Sequence, residues 1–258
     1  MNIRKYWTTV SLVARTRDYF GFVGVIGKYL LKLIRVVIMM ILWKDLFMRG
    51  ADTGGMTVEQ VLSYTLMGAI LEPMLDVRTP VSDWLHSGSI LSNYIRPMGV
   101  FTQLTLDTIG SWAQPLIVFS LPALAAGMLL GIPVRPVTPW AFVSLLLAVS
   151  EGFAVDYLFA CVLIRMKNLS WTVYSLRNAL TVLLTGSVIP FSLLPWGLGI
   201  ILQYTPLGTL AGSVLAIYTG MGDVKMILIV QLIWNIILWP LALYCFERSR
   251  ERIMSYGG

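Results

Sequence analysis

Long apolar runs, interrupted by short polar breaks, occupy most of this chain. A bilayer's hydrocarbon core is about 30 Å thick and takes roughly 20 mainly apolar residues as a helix. On that measure the pattern predicts six spans, near 29–48, 58–76, 102–131, 139–164, 178–202 and 224–246. Each must be helical, because lipid offers no partner to a backbone N–H or C=O. The second span is the most polar, opened by Glu59 and Gln60 and closed by Glu72 and Asp76. No internal repeat and no linker divides the chain, so the expected fold is one all-α integral membrane domain over 1–258.

Three stretches depart from the alternation. Residues 1–20, "MNIRKYWTTVSLVARTRDYF", mix Tyr6, Trp7, Val10, Leu12, Val13 and Phe20 with four basic residues. That mixture predicts an amphipathic helix in the membrane interface. Residues 79–98 lie inside "TPVSDWLHSGSILSNYIRPMG", which holds Asp83, His86 and Arg96. There Val81, Trp84, Leu85, Leu91, Ile95 and Met98 recur at helical spacing, so the stretch predicts a short amphipathic helix. Its apolar stripe fits either a groove on a partner protein or a bed of lipid headgroups. The third stretch, Gly186 to Gly222, is apolar but broken by Pro190, Pro195, Pro206 and several glycines. Too long for one span and too short for two, it predicts a re-entrant hairpin of short helices.

Composition agrees with the pattern. Only 12% of residues are charged and 57% are hydrophobic, whereas soluble domains carry about 25% charged residues. Charge placement orients the chain, since lysine and arginine collect on the cytoplasmic side. With an even number of spans both termini share one side. Fifteen of the 19 basic residues then fall there: Arg4, Lys5, Arg15, Arg17, Lys28, Lys32, Arg35, Arg78, Arg96, Arg165, Lys167, Arg177, Arg248, Arg250 and Arg252. Lys44, Arg49, Arg135 and Lys225 fall on the other. Both termini and the 79–98 stretch are therefore expected in the cytoplasm. The net charge of +6 reflects this bias rather than nucleic-acid binding. Lys28, Lys32 and Arg35 form a basic stripe along the first span, suited to lipid phosphates or to a substrate.

Several chemistries are excluded. "GFVGVIGK" resembles a phosphate-binding loop, but Phe22 stands where the first glycine belongs and Tyr29 replaces the magnesium-binding hydroxyl. The chain is thus expected to hold no nucleotide, cofactor or metal of its own. His86 is the single histidine, which disfavours a zinc site or a Ser-His nucleophile. Cys161 and Cys245 lie in apolar runs and suggest no disulfide framework. No cleavable signal peptide is expected, because the first twenty residues lack an apolar core. Asp107, Glu151 and Asp156 fall inside predicted spans and should face protein or a cavity. Glu151 and Asp156 are separated by about 140° around a helix, so they do not share a face as a proton relay would. "GMLLG" (127–131) and "GTLAG" (208–212) allow helices to approach closely.

Taken together, this architecture resembles the membrane subunit of an ABC-2-type transporter, the permease of an ATP-binding-cassette exporter. Locally, "GSILSNYIRPMG" is similar to the Gly-x-(Ile/Leu)…Leu-Arg-Pro stretch of one prokaryotic subfamily, with Ile95 in place of leucine. "IPFSLLPW…YTPLGTLAG" is similar to the segment before that family's last span. The resemblance implies a prokaryotic inner-membrane protein whose 79–98 helix couples to a separate ATPase through Val81, Trp84, Leu85, Gly88, Leu91, Ile95 and Arg96. ATP and magnesium would sit on that ATPase, and a second permease, identical or homologous, would complete the path. Substrate would pass along Tyr64, Leu66, Met67, Thr181 and Leu184 of the second and fifth spans. The paired Ala-Arg-Gly motifs of vitamin-type importer subunits and the Glu-Ala-Ala loop of conventional importers are both missing. A proton-driven secondary transporter would need no ATPase and would keep working after ATP depletion.

Overall fold

The computed structural model describes residues 3–16, 21–50, 54–166 and 169–254, and every regular element among them is helical. In chain order these are α1 (Ile3–Thr16), α2 (Gly21–Met48), α3 (Val58–Leu75), α4 (Val81–His86) and α5 (Ser89–Tyr94). They continue as α6 (Val100–Leu129), α7 (Trp140–Arg165), α8 (Ser170–Leu184), α9 (Leu198–Leu202), α10 (Gly212–Thr219) and α11 (Val224–Met254).

Among the described residues three helices are long and apolar enough to cross a membrane: Val100–Leu129, Trp140–Arg165 and Val224–Ser249. The other three predicted spans fall short for separate reasons. α2 carries Lys28, Lys32, Arg35, Lys44 and Asp45, while α3 carries Glu59, Gln60 and Glu72. α8 has 15 residues, a rise of about 22 Å, because its continuation is not helical. The predicted fifth span, 178–202, therefore does not form one helix: it ends at Leu184, and Thr185 accepts a backbone bond from Gly212 (2.6 Å).

Local chemistry sets the helix ends and bends. Thr57 and Gln60 form a reciprocal capping box at the start of α3, with bonds of 3.2 and 2.9 Å. Pro115 interrupts α6, and the next turn, Leu116–Ser120, is a π-helix, a common accommodation where a helical N–H is lost. Residues 186–222 are broken as expected, into short 3₁₀ pieces at Phe191–Leu193 and Pro195–Gly197, then α9 and α10.

The helices pack around two apolar clusters. One joins α2, α3, α10 and parts of α6 and α7, and includes Val61, Tyr64, Leu215 and Ile217. The other joins the later halves of α7 and α11 to Val77, Val81, Ile90, Val100 and Leu104. α7 and α11 lie side by side, linked by a polar ladder. Ser144 donates to Gln231 (2.9 Å), Asn235 to the Leu147 carbonyl (3.1 Å), and Trp239 to Ser150 (2.9 Å). On α11 these partners are spaced i, i+4, i+8, one turn apart.

Contacts between elements define two ends. Where α7 and α11 begin, Ser63 donates to the Pro133 carbonyl (2.6 Å), Gln60 to that of Thr219 (3.2 Å), and the Val137 N–H to that of Tyr218 (3.0 Å). Where they finish, α4 and α5 pack on Ala160, Ile164 and Phe246. α1 lies along the first half of α6, with Gly110 against Val10 and Val13.

The stretch 79–98 is not one helix. Gly88 adopts φ +69°, a left-handed conformation that ends the first helix and turns the chain into α5. The expected stripe is split accordingly. Val81 is buried in the chain's own core, with Trp84 and Leu91 packed partly against it, while Ile95 is 87% exposed. The Leu85 side chain lies outside the described residues.

Candidate functional site

The segment joining α3 to α4 is clamped by a buried ion pair. Asp156, from the middle of α7, pairs with Arg177 of α8, and their side chains are 4% and 12% exposed. Arg177 also donates to the Val77 carbonyl (2.6 Å). Asp156 accepts the Thr79 backbone N–H (2.9 Å) and the Thr79 hydroxyl. A carboxylate removed from water needs a counter-charge and filled lone pairs, and this one has both. Arg78, between the clamped residues, pairs with Asp76 (2.6 Å) and donates to the Tyr174 hydroxyl (2.6 Å). Burial works against the Arg78 cation, but hydrogen bonding and charge from Asp76 outweigh it and raise its pKa above the ordinary value. Residues 77–79 are thus held at successive positions to α7 and α8.

Above this clamp, α2, α3 and α8 enclose a cavity of about 200 Å³. Lys32, Arg35, Glu72, Asp76 and Arg78 line it, with hydroxyls from Thr65, Thr181, Thr185 and Ser187. Val36, Met39, Val182 and Val188 supply its apolar wall. Lys32 pairs with Glu72 (2.7 Å) and lies 4.3 Å from the centre of the Phe119 ring, two favourable settings for a partly desolvated ammonium. A second cavity of about 160 Å³ lies under the broken segment, bounded by Tyr64, Pro190, Phe191 and Gln203.

A separate buried polar group sits on α7. Glu151 is fully buried and accepts the Thr209 hydroxyl (2.8 Å), while Gln231 donates to the Thr209 carbonyl (2.9 Å). The other Glu151 carboxyl oxygen has no hydrogen-bond partner among the described residues. This group fastens the 205–213 stretch of the broken segment to α7 and α11.

The sequence-predicted residues distribute unevenly over these sites. Thr181 lines the larger cavity, and Tyr64 borders the smaller one and donates to the Gly186 carbonyl (2.5 Å). Leu66 and Met67 are buried in the core instead, and Leu184 is half-buried. Glu151 and Asp156 are buried and meet different partners, whereas Asp107 is only half-buried. Sequence reasoning missed Arg177, Thr79, Glu72, Thr209 and Gln231. Arg177 and Gln231 were visible as polar residues inside apolar runs, but nothing in the sequence names their partners. Among the described residues no group of His, Cys, Asp or Glu is arranged to hold a metal.

The chain matches no protein-family model and no curated protein. The reading of its function therefore stands on residues and geometry.

Proposed function

We propose that this chain is the membrane subunit of an ATP-driven exporter of the ABC-2 type. It would cross a prokaryotic inner membrane six times, with both termini in the cytoplasm. The observation that carries the reading is the clamp at residues 77–79. It connects an exposed knuckle, α4–α5, to α8, which lines the larger cavity. A push on that knuckle must move α8 or break the buried hydrogen bonds that tie Val77 and Thr79 to Arg177 and Asp156, so force delivered there reaches the cavity wall.

In this reading separate ATPase subunits bind ATP and magnesium and grip the knuckle as they close. The gripped surface is not the apolar stripe that sequence alone suggests, because Val81 and most of Trp84 and Leu91 already face the chain's own core. The surface left for a partner is Ser87, Gly88, Ser92, Ile95 and Arg96. A second permease, identical or homologous, would complete the path, with lipid covering the apolar faces of α2 and α11. The resemblance of "GSILSNYIRPMG" and of the broken segment to the family supports the same assignment.

The test is to purify the complex from native membranes and identify the co-eluting chains. An ATPase is expected with the wild type and is expected to be lost from the double variant Ile95→Asp, Arg96→Glu, which alters exposed positions only. Arg135→Ala, exposed at the opposite end of the fold, should retain it. A complex without any ATPase, or transport that survives ATP depletion on a proton gradient, would replace this reading with a secondary transporter.

A further inference from the structure

Of the five charged side chains lining the larger cavity, four cancel in pairs, Lys32 with Glu72 and Arg78 with Asp76. The fifth, Arg35, follows Lys32 by one turn of α2 and makes no ion pair or hydrogen bond with any described residue. A guanidinium has five donors and favours carboxylate or phosphate oxygens. The apolar side chains Val36, Met39, Val182 and Val188 share the lining with these charges. Val182 is 51% exposed, so the apolar wall is continuous with the outer surface of α8. At about 200 Å³ the cavity is smaller than pockets that enclose a whole drug-sized molecule, which run from roughly 300 Å³ upward. It has room for a head and leaves a tail outside.

We propose that this cavity binds the anionic head of an amphiphile, with Arg35 as its counter-ion and the alkyl chain leaving past Val182 along the outer surface of α8. The neutral pairs on either side orient the head through hydrogen bonds and add no net charge. Arg35 alone therefore sets the sign of the ligand. Two sources supply this chemistry, a resident phospholipid and a mobile amphiphile. That the mobile one is cargo rests on the exporter reading. Binding itself does not, so the test uses the full-length chain without an ATPase. Failure to recover an ATPase would sink the exporter reading and leave this site untouched.

The probe is radiolabelled dodecyl phosphate, added to the chain in nanodiscs of phosphatidylcholine. Binding should saturate and should weaken at least tenfold with Arg35→Gln. Arg35→Lys should retain most of it, and Arg49→Gln, just beyond the far end of α2, should leave it unchanged. Glu72→Gln should tighten it, because Lys32 is then released to the anion. Each variant's thermal midpoint is recorded to show that the fold persists. Phosphatidylglycerol titrated into the disc separates the sources: displacement of the probe identifies a resident lipid, and resistance identifies a mobile amphiphile. Either result upholds an anionic head at Arg35. No saturable binding to the wild type, unchanged binding by Arg35→Gln, or equal binding of dodecyltrimethylammonium would overturn the proposal. So would inorganic phosphate competing as well as dodecyl phosphate, since the alkyl chain would then contribute nothing.

Discussion

The Asp156–Arg177 pair offers the sharpest test of how the 77–79 segment is held. Asp156→Asn removes the counter-charge but preserves an acceptor for the Thr79 N–H and hydroxyl. It leaves the Arg177 guanidinium largely buried with only the Val77 carbonyl and, 5.5 Å away, the Phe159 ring. Breaking a buried pair from one side typically costs about 3–5 kcal/mol, because the remaining charge stays desolvated. Arg177→Gln strands a carboxylate that still has two Thr79 donors, so its cost should fall toward the lower end of that range. The double substitution removes both charges and should cost less than the sum of the single ones, by roughly 2–3 kcal/mol of coupling. The assay is equilibrium unfolding in mixed micelles, followed by tryptophan fluorescence, for the wild type, both singles and the double. Single costs under about 1 kcal/mol, typical of exposed pairs, would show that the clamp is solvated. Strictly additive costs would show that the two residues do not act as a pair, and the route from α4 to α8 would lose its basis.

Thr209→Val leaves Glu151 without its hydrogen bond and should cost about 1–3 kcal/mol, the penalty for an unsatisfied buried polar group. Glu151→Gln keeps an acceptor for Thr209 and should stay within about 1 kcal/mol of the wild type in the same unfolding assay. Gly88→Ala meets nothing within 4 Å, so any loss must come from its positive φ and should be about 1–2 kcal/mol by thermal unfolding. For topology, with Cys161 and Cys245 replaced, an impermeant thiol reagent on intact cells should modify Arg135→Cys and spare Ile95→Cys. Both positions are exposed in the fold, unlike Ile90, so the reverse pattern would invert the orientation.

Hydropathy and charge alone determined that the chain is helical and suited to a membrane, because lipid admits few other backbones. They also located the proline- and glycine-broken stretch 186–222, since Pro190, Pro195 and Pro206 each remove a helical N–H and, with the glycines between them, disfavour a continuous helix. The 79–98 stretch was legible as helix but not as two helices. Its apolar spacing runs through Gly88, and only the packed structure shows the chain turning there at positive φ to bury Val81 and Ile90 together. The pairing of charges was not legible at all. Asp156 lies 21 residues from Arg177, and Lys32 lies 40 from Glu72. Periodicity reports which face of one helix is apolar, and it carries no information about which helix stands opposite. Helix packing decided that Asp156 and Glu151 would have separate partners, that Leu66 and Met67 would fill the core, and that Arg35 would line a cavity without a counter-ion. Such a choice depends on crossing geometry between segments distant in sequence, and no local pattern of residues encodes it.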